Sequence, residues 1–260
     1  MSDSPLLAVS TLDSVGIIEL ARPAVFNCLS TAVFTAIEAA MMDFETRAEI
    51  RSIVIRGQGK HFCTGAELGE VKQVRQVDEQ LARFLAHGHR ILERIEASPL
   101  PVIASVHGLC LAGGLELALA CDLVFAAASA RFGDQHAQFG LVPGWGGSQR
   151  LPRAIGLKRA FDLFFSARWI DAATAEQWGL VNRVIADEAL AAETLAYAGS
   201  LGERSRAGLT MMKRLAREGF ELPLDQGLRL EERDVAPLLR GEDVSEGLAA
   251  FEQRRAPRFA

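Results

Sequence analysis

"HGLCLAGGLELALACDLVFAA", residues 107–127, changes character several times in a short span. It leaves the β-type run LPVIASVHG (100–108), passes a short loop, and sets Gly113 and Gly114 before the helix formers of LELALA. It then enters a second β-type run, DLVFAA (122–127). A strand, a loop, a glycine-led helix and a strand in that order form an α/β pattern. The first N–H groups of such a helix are unpaired and carry the positive end of its dipole. With no side chain at 113 or 114, a ligand oxygen can come within hydrogen-bond distance of the backbone. Glu116 lies one turn further in. It is either a stabilising first-turn charge or a general base beside an oxyanion site, and this segment leaves both readings open.

The same alternation extends in both directions. VGIIEL (15–20), RSIVIRG (51–57) and LVNRVI (180–185) are further β-type runs bounded by turn residues. Ser30 is placed to cap a helix whose apolar face is Val33, Ile37, Met41 and Phe44. A longer helix carries Leu81, Phe84, Leu85, Ile91, Leu92 and Ile95 on one side. After about residue 187 the β-type runs stop. ALAAETLAYAGSLG, RAGLTMMKRLAREG, LDQGLRLEERDVAPLLRG and SEGLAAFEQRR read as helices broken by Gly or Pro. The pattern predicts an α/β body over 1–189 and a helical region over 190–260. With no linker between them, the tail is expected to dock on the body or on another subunit.

The composition narrows the function classes. Hydrophobic residues make up 49% of the 260, enough for one large core. A net charge of -5 argues against a nucleic-acid binder, which would show a basic stripe. No apolar run reaches the ~18 residues of a membrane span, and MSDSPLLAVS lacks the pattern of a secretory leader. A soluble, cytoplasmic protein with no membrane partner is expected. Cys28, Cys63, Cys110 and Cys121 show no CxxC spacing and read as packed, reduced thiols. His87 and His89, two apart on a helix, point to different faces and cannot share a metal. No metal site is predicted.

A second glycine loop, GKHFCTGAEL (59–68), follows the strand ending near Gly57 and offers backbone N–H at Gly65-Ala66. Two such loops suit a carbonyl oxygen held by two amides. FCTGAEL, HGLCLAGGLELALACDLVFAA, ARFG with FGLVPGWGGSQRLPRAIG, and DAATAEQWGLVNRVI stand in the order found in one known family. With ARPAVFNCLS before them and FEQRRAPRF after, the chain resembles the enoyl-CoA hydratase/isomerase (crotonase) superfamily over almost its whole length.

The resemblance implies a spiral of β-β-α turns, a C-terminal helical trimerisation region, and a homotrimer or a dimer of trimers. It implies an acyl-CoA substrate whose thioester carbonyl accepts hydrogen bonds from the N–H of Ala66 and Gly113. Substrate contacts are implied at Thr64, Leu68, Gly114, Gly144 and Trp145. Coenzyme A is then part of the substrate, and no separate cofactor is expected. Trp145 stands where small residues are common and either walls the acyl pocket or simply packs. Basic residues common after RP and after the second glycine loop are replaced by Ala24 and Gly69. Phosphate neutralisation is therefore expected from Arg22, Lys72 or tail cations of a neighbouring subunit.

Hydratases of the family use two glutamates. Glu116 matches one, and F-G-x-x-E carries the other onto His136, since the chain reads F-G-D-Q-H. Three readings of His136 remain open: a proton donor or relay, the mark of a specialised reaction, or a loop histidine bonded to backbone. Asp134 is a candidate to orient the imidazole. The expected function is enoyl-CoA hydration, with Glu116 activating water and His136 assisting proton transfer. The alternatives are isomerase, hydrolase or decarboxylase chemistry on an acyl-CoA, or an acyl-CoA binder without turnover.

Overall fold

The chain coils turn by turn, each turn adding to a main sheet, then a short strand or bridge beside it, and then a helix. The structure, a computed structural model, describes residues 5–259. In the first turn β1 (Leu7–Leu12) folds back antiparallel on β2 (Val15–Leu20), the chain crosses at Leu29, and α1 (Thr31–Thr46) follows. The second turn is β3 (Ser52–Gly57), the stretch 63–66, α2 (Leu68–Val74) and α3 (Asp78–Glu96). The third is β4 (Val102–Val106), β5 (Leu109–Leu111) and α4 (Gly113–Ala120). The fourth is β6 (Leu123–Ala127), β7 (Arg131–Gly133), a 3-10 turn at His136–Phe139, α5 (Gly147–Ile155) and α6 (Leu157–Ser166). β8 (Ile170–Asp171), α7 (Ala172–Trp178) and β9 (Arg183–Ile185) complete the body.

The main sheet has the order β1-β2-β3-β4-β6-β9, parallel from β2 onward. The smaller sheet is β5-β7-β8, and parallel bridges at Leu29–Ala66 and Cys63–Cys110 continue its direction into the earlier turns. This is the spiral of repeated turns that the resemblance implies. β4 is buried at every position, which is why VIASV reads as an unbroken apolar run. Ser30 Oγ accepts from Val33 N at 3.3 Å, and α1 buries Val33, Phe34, Ile37, Met41 and Phe44.

Four strands escape the sequence patterns. β1 lies at an edge with its last four residues exposed, so it carries no apolar signal. β5 and β7 have three residues each and β8 two, too few to show a period. LVNRVI forms a strand only from Arg183, because Leu180 N bonds back to Ala175 O at the end of α7. Asn182 Oδ1 then accepts from Val124 N at 2.8 Å and ties the segment to β6.

The C-terminal region consists of α8 (Leu190–Ser200), a short 3-10 turn, α9 (Arg206–Phe220), α10 (Leu224–Leu238) and α11 (Glu242–Glu252). α8, within the segment read as tail, packs against β2, β3, β4 and β6. Thr194 is fully buried with its hydroxyl 3.4 Å from that of Ser105, and Ser52 Oγ donates to Ala198 O at 3.0 Å. α9 and α10 pack as a pair. α9 reaches the body through Lys213 Nζ, 2.7 Å from Asp122, and Arg217 Nη2, 2.8 Å from the same carboxylate. Among the described residues no helix is long and apolar enough to cross a membrane.

Candidate active site

Ala66 and Gly113 meet because their turns of the coil are paired. At the Leu29–Ala66 bridge, Leu29 N donates to Gly65 O and Glu67 N donates to Leu29 O. The N–H of Ala66 therefore points the other way, toward the next turn. A Cβ placed on Gly113 would stand 3.3 Å from Ala66 N, so the two residues border one small space. Among the described residues neither N–H donates to another backbone group. Ala112, which precedes the donor, is held at φ 48 ψ -119, a left-handed conformation that disfavours a side chain. Its N–H is tied to Gly133 O at 3.0 Å and its carbonyl accepts from Glu116 N at 3.0 Å. These bonds fix the strained peptide, and with it the direction of the Gly113 N–H.

Gly114 is required by packing. A Cβ there would lie 2.2 Å from the Cys63 carbonyl, where α4 crosses the previous turn. Thr64, also read as a substrate contact, donates its N–H to Phe26 O, and its hydroxyl lies 3.5 Å from Cys28 Sγ. Leu68 opens α2 and is exposed. Gly144 faces Leu85, whose Cδ2 would be 3.1 Å from an added Cβ.

Glu116 is buried in the first turn of α4. Its Oε1 accepts from Trp145 N and from Gly147 N, each at 2.8 Å. Both bonds fall on one oxygen, which leaves Oε2 for water. Burial is the largest influence on this carboxyl and raises its pKa above the ordinary value. The Gly147 N–H, the charge of His136 and the Trp145 N–H pull it down, while the Asp134 charge pushes it up. A carboxylate that is ionised yet poorly solvated is a stronger base than one in water.

His136 begins the 3-10 turn, with its side chain mostly covered. Nδ1 lies 3.0 Å from both oxygens of the buried Asp134, so a carboxylate and not a backbone group orients the ring. Burial opposes the imidazolium, but the Asp134 hydrogen bond and charge, with the Glu116 charge, outweigh it and raise the pKa above 6.5. With Nδ1 occupied, Nε2–H is the donor left to offer. The charges of His136 and Glu116 act on each other, so the two candidate acid/base groups share one site.

Trp145 is 3% exposed and packs edge-on to Phe34 and tilted on Phe84, with ring centroids 4.8 and 5.2 Å away. Sequence reasoning missed what stands behind it. Arg150 Nη1 donates to Trp145 O at 2.9 Å, and its guanidinium grips Glu96 with bonds of 2.8 and 2.6 Å. Glu96 is also 3.4 Å from Arg217 of α9. Arg22, a candidate for the phosphates, is engaged by Glu67 at 2.7 Å, whereas Lys72 is exposed in the last turn of α2.

The family model for enoyl-CoA hydratase/isomerase matches residues 10–260. A probable enoyl-CoA hydratase of Rhizobium meliloti (strain 1021) is 39% identical over 253 residues, covering 97% of each chain. The solved enoyl-CoA hydratase from Polaromonas sp. JS666 superposes with a TM-score of 0.94 at 32% identity, over 98% of this chain and 99% of that one. The enoyl-CoA hydratase from Bacillus anthracis gives a TM-score of 0.93 at 32% identity, over 98% of each.

Proposed function

The chain belongs to the enoyl-CoA hydratase/isomerase family, and from that premise we propose that it is an enoyl-CoA hydratase working with one carboxylate and one histidine. The observation that carries the reading is the pairing of a buried Glu116 with an imidazole whose Nδ1 lies 3.0 Å from the Asp134 carboxylate, a contact that favours its charged form. The thioester oxygen sits between the N–H groups of Ala66 and Gly113. Glu116 Oε2 takes a proton from water as the oxygen bonds to C3. The π electrons move toward C2 and the thioester oxygen, and the two N–H donors stabilise that enolate, each donor of this kind contributing ~10²–10³ in rate. His136 Nε2–H then delivers its proton to C2. Proton exchange with solvent returns both groups to their starting states.

Hydration neither oxidises nor reduces the substrate, so the reading asks for no cofactor beyond the coenzyme A carried by the acyl group. Lys72 is the body cation assigned to its phosphates, since Arg22 is committed to Glu67. The cytoplasmic location expected from the sequence belongs to this reading and is supported by free thiols at all four cysteines. So does the homotrimer or dimer of trimers. Phe165, Phe220 and Phe251 are 78%, 76% and 83% exposed, an arrangement that favours burial against further copies of the chain.

The test is the purified protein with crotonyl-CoA. Formation of 3-hydroxybutyryl-CoA is the expected result. Double-bond migration, release of free coenzyme A, or binding without turnover on 2-enoyl thioesters would overturn it.

A further inference from the structure

We propose that Trp145 is the blind end of the acyl pocket and restricts the enzyme to short acyl chains. The proposal rests on the hydratase reading for the position of the thioester, and on the following geometry for everything else. The indole spans the distance from the oxyanion donor to α3. Its six-membered ring faces Gly113, where a Cβ would meet Cζ3 at 2.8 Å and Cε3 at 3.1 Å. Its pyrrole edge faces Gly88, where a Cβ would meet Nε1 at 2.3 Å. The same added Cβ on Gly113 would stand 3.3 Å from Ala66 N, so the ring borders the space assigned to the thioester oxygen.

The reacting carbons are placed on the same residue from the other side. Glu116, which would act at C3, is held by the N–H of Trp145. With the thioester oxygen beside Gly113, whose open face meets the indole, the proposal places the atoms beyond C3 against that ring. The ring has little freedom to withdraw, because Phe34 and Phe84 pack on it and Gly88 touches its far edge. Among the described residues its Nε1 is buried without a hydrogen-bond partner. An unpaired buried donor is unfavourable, so a Phe would be the easier filler if bulk alone were needed at any depth. The indole bridges the Gly113 donor and Gly88 of α3, and on this proposal it stands across the inward path of a long chain.

The test compares trans-2-enoyl-CoA substrates of four, six and ten carbons. Each methylene that a pocket cannot accept costs about 10-fold or more in kcat/KM. Wild type is expected to lose about 100-fold or more between the four- and ten-carbon substrates, for which about two of the added methylenes need meet the indole. Trp145→Ala is expected to raise the ten-to-four-carbon ratio by a similar factor, while lowering turnover of crotonyl-CoA through looser packing. The backbone N–H on Glu116 survives this substitution. Trp145→Leu, a milder change, should move the ratio in the same direction and serves if the alanine variant fails to fold.

Calorimetric binding of butyryl-CoA and decanoyl-CoA to wild type and Trp145→Leu gives a readout that needs no turnover. If no 2-enoyl-CoA reacts, the hydratase reading fails and this binding arm still decides the pocket. A wild type that takes ten-carbon chains as well as four-carbon ones overturns the proposal. So does a variant that folds and leaves the ratio unchanged.

Discussion

Arg150 donates to the carbonyl of Trp145, the residue whose own N–H holds Glu116. The guanidinium is fixed in turn by two bonds to Glu96 at the end of α3. Arg150 thus holds the peptide that holds the proposed base, and the proposed mechanism gives it no contact with substrate. Arg150→Met should lower kcat by about 10–100-fold, the scale of a small misplacement of a reacting group, with little change in KM. Arg150→Lys can bond the carbonyl but cannot fork onto Glu96, so it should recover only part of the loss. Steady-state kinetics on the folded variants checks this; equal kcat in Arg150→Met and wild type would contradict it.

Glu116→Gln keeps an oxygen that accepts from Trp145 N and Gly147 N, so the loop around it should stay in place. It removes the base, and kcat should fall by about 10²–10⁴ or more. Thermal melting and butyryl-CoA binding should change little. A variant that keeps near wild-type turnover would assign the base elsewhere.

The pH profile of kcat/KM should be bell-shaped. Glu116 must be ionised to act and its pKa is raised by burial, so rate is lost on the acid side at a higher pH than an exposed glutamate would give. His136 must be protonated and its pKa is also raised, because Asp134 outweighs the burial that would lower it. Rate on the alkaline side is therefore lost as pH rises through that raised value. Asp134→Asn removes the charge, so the alkaline limb should move to lower pH and narrow the optimum. A limb that stays put would mean His136 does not supply the proton. His136→Ala should cost about 10²–10⁴ in kcat.

Gly113→Ala would drive a methyl group into the ring of Trp145 and beside Ala66 N. It should reduce kcat by about 10²-fold or more by displacing the thioester oxygen from its donors. Ala112→Gly is the converse experiment. It relaxes a left-handed conformation of the kind that costs ~1–3 kcal/mol, against ~0.5–1 kcal/mol for glycine's extra unfolded freedom. Stability should hold or rise while kcat changes little, since the bonds that direct the donor are made by the backbone at 112 and survive the substitution. Chemical denaturation and kinetics on the same preparation separate the two effects.

Self-association is open to sedimentation. The full chain should run at three or six times the monomer mass. A truncation beginning at 206 should lose that assembly while α8 keeps the main sheet covered. A soluble monomeric full-length protein would contradict the trimer reading.

What could be read from the sequence was whatever is local. The cap at Ser30, the glycine-led helix carrying Glu116, and Asp134 beside His136 all lie within a few residues of one another. The meeting of Ala66 with Gly113 required the family resemblance, because it depends on a parallel bridge between two turns. Arg150 and Glu96 are 54 positions apart and look like ordinary helix charges, so nothing local distinguishes them. β1 stayed hidden because an exposed edge strand has no buried face to pattern.

The Cys63–Cys110 bridge pairs two turns in step, and each proposed oxyanion donor lies three residues beyond its cysteine. Phe132, the partner of Cys110 in the next turn, stands four residues before His136. The two proposed donors and the proposed acid are therefore stations on a counted path, each a fixed number of residues beyond a position paired to the next turn, with paired strands about 4.7–4.9 Å apart. Deleting one residue between Cys110 and Gly113 would leave the pairing of the cysteines intact and carry Gly113 out of phase with Ala66. A chain so shortened should still coil, yet grip no carbonyl.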